Sequence, residues 1–536
     1  MADVSTSGWD VVSVTDLDTM NTIINADKLY PTEFSASDSV LGTEINLAGK
    51  WGRWEISNNA SGGKINLRCE ISSGVVNYSG KEVNVNDESN ASWVEVEVLL
   101  KGIQASPEKW VSGDDNITRD TRCHQLMVDA ENTVIVTESH FTGPDMSQDG
   151  LASVIPSLFH EWFNANVDTF GQIFAVILIG LEAGNSDFQW LYPSAYSYAA
   201  GSSADGETAG FGVLSLIDGK TDTGSLQQSV DIQALNLVKT FGANLALVIS
   251  KSMFVKHMLL PAAISIVKGS TENDFTISDT GLSLSNNREM VWQDFEDGNG
   301  GTFSPVLPKD SFILSLQADS INLSIMGAHY RPNNMCTVSM GVEQRFRYKV
   351  EKNASGEPVF VPEESGLGDA KISCNVKIDE WVRVFEITMG VITGLVAVIG
   401  LGSLAVGAIG ARAAATFAIE EAEELTVFTV DTAGAEEVTA VEAEGISNAI
   451  LRGVVSNPTV FSAVKIGSLV MGLLSGGPLA GVIISAAIYS GKFDDVPSFH
   501  AFASAITGGA VWPNIKNTEL KSASLADSFV IGLELK

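Results

Sequence analysis

Valine and glutamate alternate between residues 93 and 100, with Val94, Val96 and Val98 on one parity and Glu95 and Glu97 on the other. A period of two puts the valines on one face of an extended strand and the glutamates on its wet face. Strand-like runs at 51–57 and 64–72 flank Asn58-Asn59-Ala60-Ser61-Gly62-Gly63, a turn-forming stretch that predicts a hairpin. Further strands are predicted over 133–142, 172–181, 241–250, 311–328, 336–352 and 371–378, and again towards 535. Residues 241–250 lead into a short helix or turn before Pro261, and the glycine-rich acidic run 293–302 reads as a loop. Residues 16–26 carry Leu17, Met20, Ile23 and Ile24 at helical spacing and predict a short amphipathic helix.

At 150–168 the period changes. Ile155, Leu158, Phe159, Trp162, Phe163 and Val167 recur at intervals of three and four, which predicts a helix with an unusually aromatic face. Two readings stay open for that face. It is the packed side of an ordinary core helix, or it lines an elongated apolar groove in which Phe159, Trp162, Phe163 and Phe170 meet a ligand.

Two stretches, 387–411 and 466–491, run without a charged residue and are rich in Gly, Ala, Val and Ile. Each is long enough to cross a bilayer, which takes about 20 residues. Between them lies 420–444, acidic and alanine-rich. One reading is a membrane hairpin. The other is a pair of helices buried in a water-soluble protein. The many glycines weaken the helices and favour the second; small residues at three- and four-residue spacing would serve the first. The expectation is burial at neutral pH, with membrane contact left open.

Hydrophobic residues make up 45% of the 536, which suffices for sizeable cores and for more than one domain. The 65 acidic against 32 basic residues give a net charge of −33. That sign repels nucleic-acid phosphates and anionic bilayers alike, so no nucleic-acid partner is expected. The four cysteines, Cys69, Cys123, Cys336 and Cys374, form no C-x-x-C pair and read as reduced core or sheet residues. The opening Met1-Ala2-Asp3-Val4 has neither a basic nor an apolar leader segment. Cytoplasmic synthesis without a signal peptide is therefore expected, with later release from the cell left open.

No catalytic constellation emerges. His160-Glu161-Trp162-Phe163-Asn164 begins like a zinc-protease helix, but Asn164 stands where the second imidazole is needed. There is no phosphate-binding loop, no nucleophile elbow and no dinucleotide fingerprint after a strand. The acidic loop around Asp294 lacks calcium-loop spacing. The expectation is a non-enzyme with no cofactor and no metal.

Three phrases have a more particular character: Gly8-Trp9-Asp10-Val11-Val12, the run from Phe188 to Ala199 containing Trp190-Leu191-Tyr192-Pro193 and Tyr196-Ser197-Tyr198, and the run from Asn244 to Pro261. Together they resemble the clostridial toxin-locus OrfX proteins, including the 47-kDa accessory group, within the tubular lipid-binding (TULIP) superfamily. The resemblance implies an α+β fold in which long, curved antiparallel sheets wrap apolar helices. The expected halves are 1–240 and 241–536, the second containing the apolar helical region 387–492. It also implies a bacterial accessory protein of a toxin-type gene cluster, binding lipid or another apolar ligand and meeting a toxin or other proteins of the same cluster. The rival reading is a membrane-inserting or pore-forming toxin component that uses the apolar pair at 387–491.

Overall fold

The structure, a computed structural model, describes residues 3–104 (except 41 and 88), 124–174, 178–179, 189–292, 295–296, 302–333, 336–352, 358–363, 367, 370–378, 413–421, 424–431, 510–511 and 518–536. The chain folds as two units interleaved in sequence. The first comprises 1–250, 352–359 and 497–536; the second comprises 251–351 and 360–496.

The first unit is built on two six-stranded antiparallel sheets. One is centred on β1 (Val11–Asp16), which pairs on one side with Ala209–Leu216 and on the other with Leu245–Ile249. Ala195–Ser202 lies beyond the first neighbour, and the hairpin Thr518–Ala526/Ser528–Leu535 lies beyond the second. Every residue of β1 is buried. Its alternate side chains, Val12 and Val14, join Leu214, Leu216, Val248 and Val530 under the helix Gln233–Lys239. That helix sits close because Gly532 faces it: a Cβ there would lie 3.0 Å from Val238 Cβ.

β1 runs directly into α1 (Leu17–Asp27). The Asp16 carboxylate accepts from the Thr19 N–H at 3.3 Å and caps the helix, and the helix stops where Lys28 takes a left-handed conformation at φ 48°. The predicted face holds, with Leu17, Met20, Ile23 and Ile24 all buried.

The second sheet has the order β2 (Glu33–Val40), β3 (Thr43–Ile56), β4 (Ile65–Tyr78), β6 (Ser92–Val98) and β9 (Ile135–His140), with β5 (Lys81–Asn84) beside β4. The hairpin expected across 58–63 joins β3 to β4. Val94, Val96 and Val98 face the interior as predicted, and Cys69 is a buried free thiol. A smaller sheet joins β7 (Leu100–Gln104) to β8 (His124–Val128), then to Leu178–Ile179 and Ala510–Val511.

One expected strand, 172–181, is in part something else. Among its described residues Leu178–Ile179 form a strand, whereas Gly171–Phe174 forms a 3-10 turn. Phe170, Ile173 and Phe174 are fully buried at helical spacing, and a continuous apolar run does not by itself distinguish the two states.

The second unit opens with helical residues from Lys251 to Ile266. The ladder widens to a π turn at Val255–Leu259, next to Pro261, which has no N–H to continue the regular pattern. A large sheet follows, ordered Phe275–Ile277, Ser283–Asn286, Phe312–Leu316, Ile321–Asn333, Cys336–Lys352, Ala370–Ile378, Ala413–Glu421 and Glu424–Asp431. Its pairings are antiparallel except Ala370–Ile378 with Ala413–Glu421. The apolar stretches 387–411 and 466–491 lie outside the described residues. Of the acidic connector, 420–421 and 424–431 belong to strands. Among the described residues, no helix is long and apolar enough to cross a membrane.

Candidate functional site

The aromatic helix is α2 (Leu151–Ala165), followed at once by α3 (Val167–Phe170). Ile155, Leu158, Phe159, Trp162 and Phe163 are buried, as the spacing predicted, and so is Leu151 in the first turn. The helix lies against β2 and β9 of the second sheet, and its aromatic side chains reach the tryptophans of β3. Phe159, Phe163 and Phe170 are fully buried, and Trp162 is 6% exposed.

The structure brings all four together around two tryptophans of β3. The Trp51 ring lies 5.5 Å from Phe159, 5.3 Å from Trp162 and 5.6 Å from Phe163. Trp54 lies 5.8 Å from Phe163 and 5.4 Å from Phe170, with Tyr30 stacked on its other side at 5.3 Å. Phe34 of β2 closes the group, 4.5 Å from Trp51 and 5.2 Å from Phe159.

Trp51 and Trp54 are three residues apart, and a regular strand would send them to opposite faces. The β3–β4 register shifts between Lys50 and Trp51 and again between Trp51 and Trp54, so that Trp51 pairs with Ile71 and Trp54 with Cys69. Ile71 and Cys69 share the interior face, and the two tryptophans therefore do so too. Gly52 sits inside the irregularity, where a Cβ would come within 2.8 Å of the Glu70 carboxyl carbon. α1 holds the end of the irregular strand. The Asn21 amide donates to the Ile56 carbonyl and accepts the Ile56 N–H, and Asn25 donates to the Trp54 carbonyl. Neither indole N–H has a nitrogen or oxygen acceptor among the described residues. The two rings meet edge to face at 86°, which suits an indole edge to an aromatic face.

Asn164, at the position a second zinc ligand would need, is committed elsewhere. Its amide accepts the Val134 N–H and donates to the Val134 carbonyl, both at 2.9 Å, tying α2 to the chain just before β9. Among the described residues, no group of three or more His, Cys, Asp or Glu is placed to hold a metal ion.

The three singled-out phrases are structural nodes. Trp9 is buried and donates its indole N–H to the Gln227 carbonyl at 2.8 Å. Asp10 accepts from the Ile217 N–H and from Lys220 Nζ. Gly8 adopts φ +91°, and a Cβ there would crowd Leu226. The Tyr198 hydroxyl accepts the Leu100 N–H at 2.6 Å, and the Tyr196 hydroxyl fills the place a Cβ on Gly102 would occupy. Asn244 accepts the Leu535 N–H and donates to the Leu535 carbonyl.

These features define a class: an α+β protein of mainly antiparallel sheets, with a buried aromatic cluster where one helix lies on a doubly irregular strand. The chain belongs to the OrfX-like family, whose model, described as Protein OrfX2/OrfX3/P47, matches residues 6–451. Among solved structures it is similar to P47 from Clostridium botulinum A2, at 12% identity and a TM-score of 0.56, over 99% of this chain and 98% of that one. It is equally similar to P47 of Clostridium botulinum E1, at 14% identity and a TM-score of 0.56, over 99% of both chains. At such identities the likeness is one of fold. None of the curated proteins matches the chain by sequence.

Proposed function

We propose that this protein is a non-enzymatic accessory component of a bacterial toxin-type gene cluster, acting by binding an apolar ligand and other proteins of the cluster. The observation that carries the accessory role is the family match over residues 6–451. The apolar-ligand part is supported by the density of aromatic surface between α2 and β3. In this reading Phe159, Trp162, Phe163 and Phe170 form the wall that the ligand meets, in a TULIP-like arrangement of helix and sheet. The rings are in mutual contact, so a ligand reaches them only as α2 moves off β3.

Mass spectrometry of lipids carried through purification of the whole chain tests the ligand. The wild type is expected to carry a defined apolar species in stoichiometric amount, and Phe163→Trp, which fills the site, to carry less. A wild type that carries none would make the cluster a packed core and end the ligand reading. The accessory role is checked separately, by co-purification with proteins of the same locus.

A further inference from the structure

Glu95 departs from its alternation. It sits on the parity expected to be wet, yet its side chain is 1% exposed. The loop 57–64 between β3 and β4 covers it. From that loop Asn59 donates to Glu95 Oε1 at 2.9 Å; from β4, Asn66 donates to the same oxygen at 3.0 Å and Arg68 donates to Oε2 at 3.1 Å. The Arg68 guanidinium lies 4.2 Å above the Trp93 ring, and His140 lies against the same ring at 5.8 Å.

The far side of the loop grips the other sheet. Gly62 and Ala200 exchange two backbone hydrogen bonds, both at 2.9 Å, and Asn58 donates to the Gly206 carbonyl. Gly62 adopts φ +60°, and a Cβ there would lie 3.1 Å from the Gln228 carbonyl oxygen. One short loop therefore links the sheet of β2–β9 to the strand Ala195–Ser202, and a buried carboxylate organises its inner side.

We propose that the loop 57–64 is a clasp between the two sheets of the first unit, locked by ionised Glu95 and released when Glu95 takes up a proton. Protonation removes the charge that Arg68 faces and turns one acceptor oxygen into a donor among groups that are already donors. The other charged or titratable neighbours are Lys64 and Glu97, paired at 3.0 Å; Glu138, opposite Glu95 on β9; Glu55, opposite Arg68 on β3; His140; and the buried Cys69 thiol. Burial works to raise the Glu95 pKa, but the hydrogen bonds of Asn59, Asn66 and Ser57 and the Arg68 charge outweigh it and hold it below the ordinary glutamate value. The clasp is then closed at neutral pH and opens only as the pH falls below about 4.3.

Pulse-labelled hydrogen exchange, corrected for intrinsic rates, tests this on the whole chain. In the wild type, peptides covering 57–66 and 195–202 should lose protection by up to about sixfold, the most that one carboxyl regaining its ordinary value of about 4.3 allows, as the pH is stepped from 5 to 3.5, while Leu245–Ile249 stays protected. Glu95→Gln should show that loss already at pH 7. Asn59→Ala, which deletes one donor from an exposed loop position, should move the opening to higher pH and serves if Glu95→Gln fails to fold. Wild-type protection retained in Glu95→Gln overturns the clasp. So does an unchanged opening pH in Asn59→Ala, or loss in the two peptides only together with 245–249.

Discussion

Tyr198 joins two sheets through one oxygen. Its ring is 7% exposed, and its hydroxyl is the acceptor for the Leu100 N–H. Tyr198→Phe keeps the ring and strands a buried N–H, so it is expected to cost about 1–3 kcal/mol, measurable by urea unfolding. Phe163 is held differently, by shape alone. It meets Trp51, Trp54, Trp162 and Phe170 within 5.8 Å, with the ring fully buried. Phe163→Ala is expected to cost about 3–5 kcal/mol in the same measurement. The side chains of α2 were legible in the sequence because each lies on one helical stripe. Their partners were not: Trp51 and Trp54 share a face only through an irregularity that no alternation reveals. Glu95 was misplaced for a related reason, since strand periodicity assigns a face but not what covers it.

At the scale of elements, α1, α2 and strands such as β3, β4, β6 and Leu245–Ile249 were legible, whereas β1, Ala195–Ser202 and Ala209–Leu216, half of the first sheet, were not expected. The turn at Gly171–Phe174 escaped because its apolar run satisfies either state. Charge decides finer matters in the hairpin Thr518–Ala526/Ser528–Leu535. Lys521 and Lys536 each bridge both Glu519 and Glu534, at 2.7–3.0 Å. The hydrogen bonds of Lys536 and Lys521 lower the Glu519 pKa to about 2. A carboxyl with a depressed folded pKa stabilises above its unfolded value of about 4.3 and loses that contribution as the pH falls towards the folded one. Glu519→Gln should therefore flatten the fall in melting temperature between pH 5 and pH 2, with little change at 1 M salt, where such exposed pairs are screened. An unchanged acid slope would show that the ladder contributes nothing to folding.

At the scale of the molecule, the central sheet of the first unit is assembled from distant segments. Leu245–Ile249 has β1 on one side and Ser528–Leu535 on the other. Family membership was legible in short phrases because those phrases fix such joints: Trp9 under the 223–230 loop, Asn244 on the backbone of Leu535. The interleaving of the two units was not legible, because no linker composition marks a chain that leaves a unit and returns to it. Removing residues 518–536 should deprive Leu245–Ile249 of a neighbour and uncover the side chains that Val530, Ile531 and Leu533 cover along the sheet. The shortened chain is expected to lose hydrogen-exchange protection across β1 and Leu245–Ile249. Retained protection there would mean the sheet closes without its terminal hairpin.

The Asn244–Leu535 joint also sets a clock on biogenesis. Its two residues are 291 positions apart, so a ribosome working at roughly 5–20 residues per second spends about 15–60 s between making one and making the other. For that interval the strand at 245–249 has one open edge, and an open apolar edge invites pairing with a neighbouring nascent chain. The yield of folded protein should therefore respond to translation speed and holdase supply more steeply than its final stability would suggest.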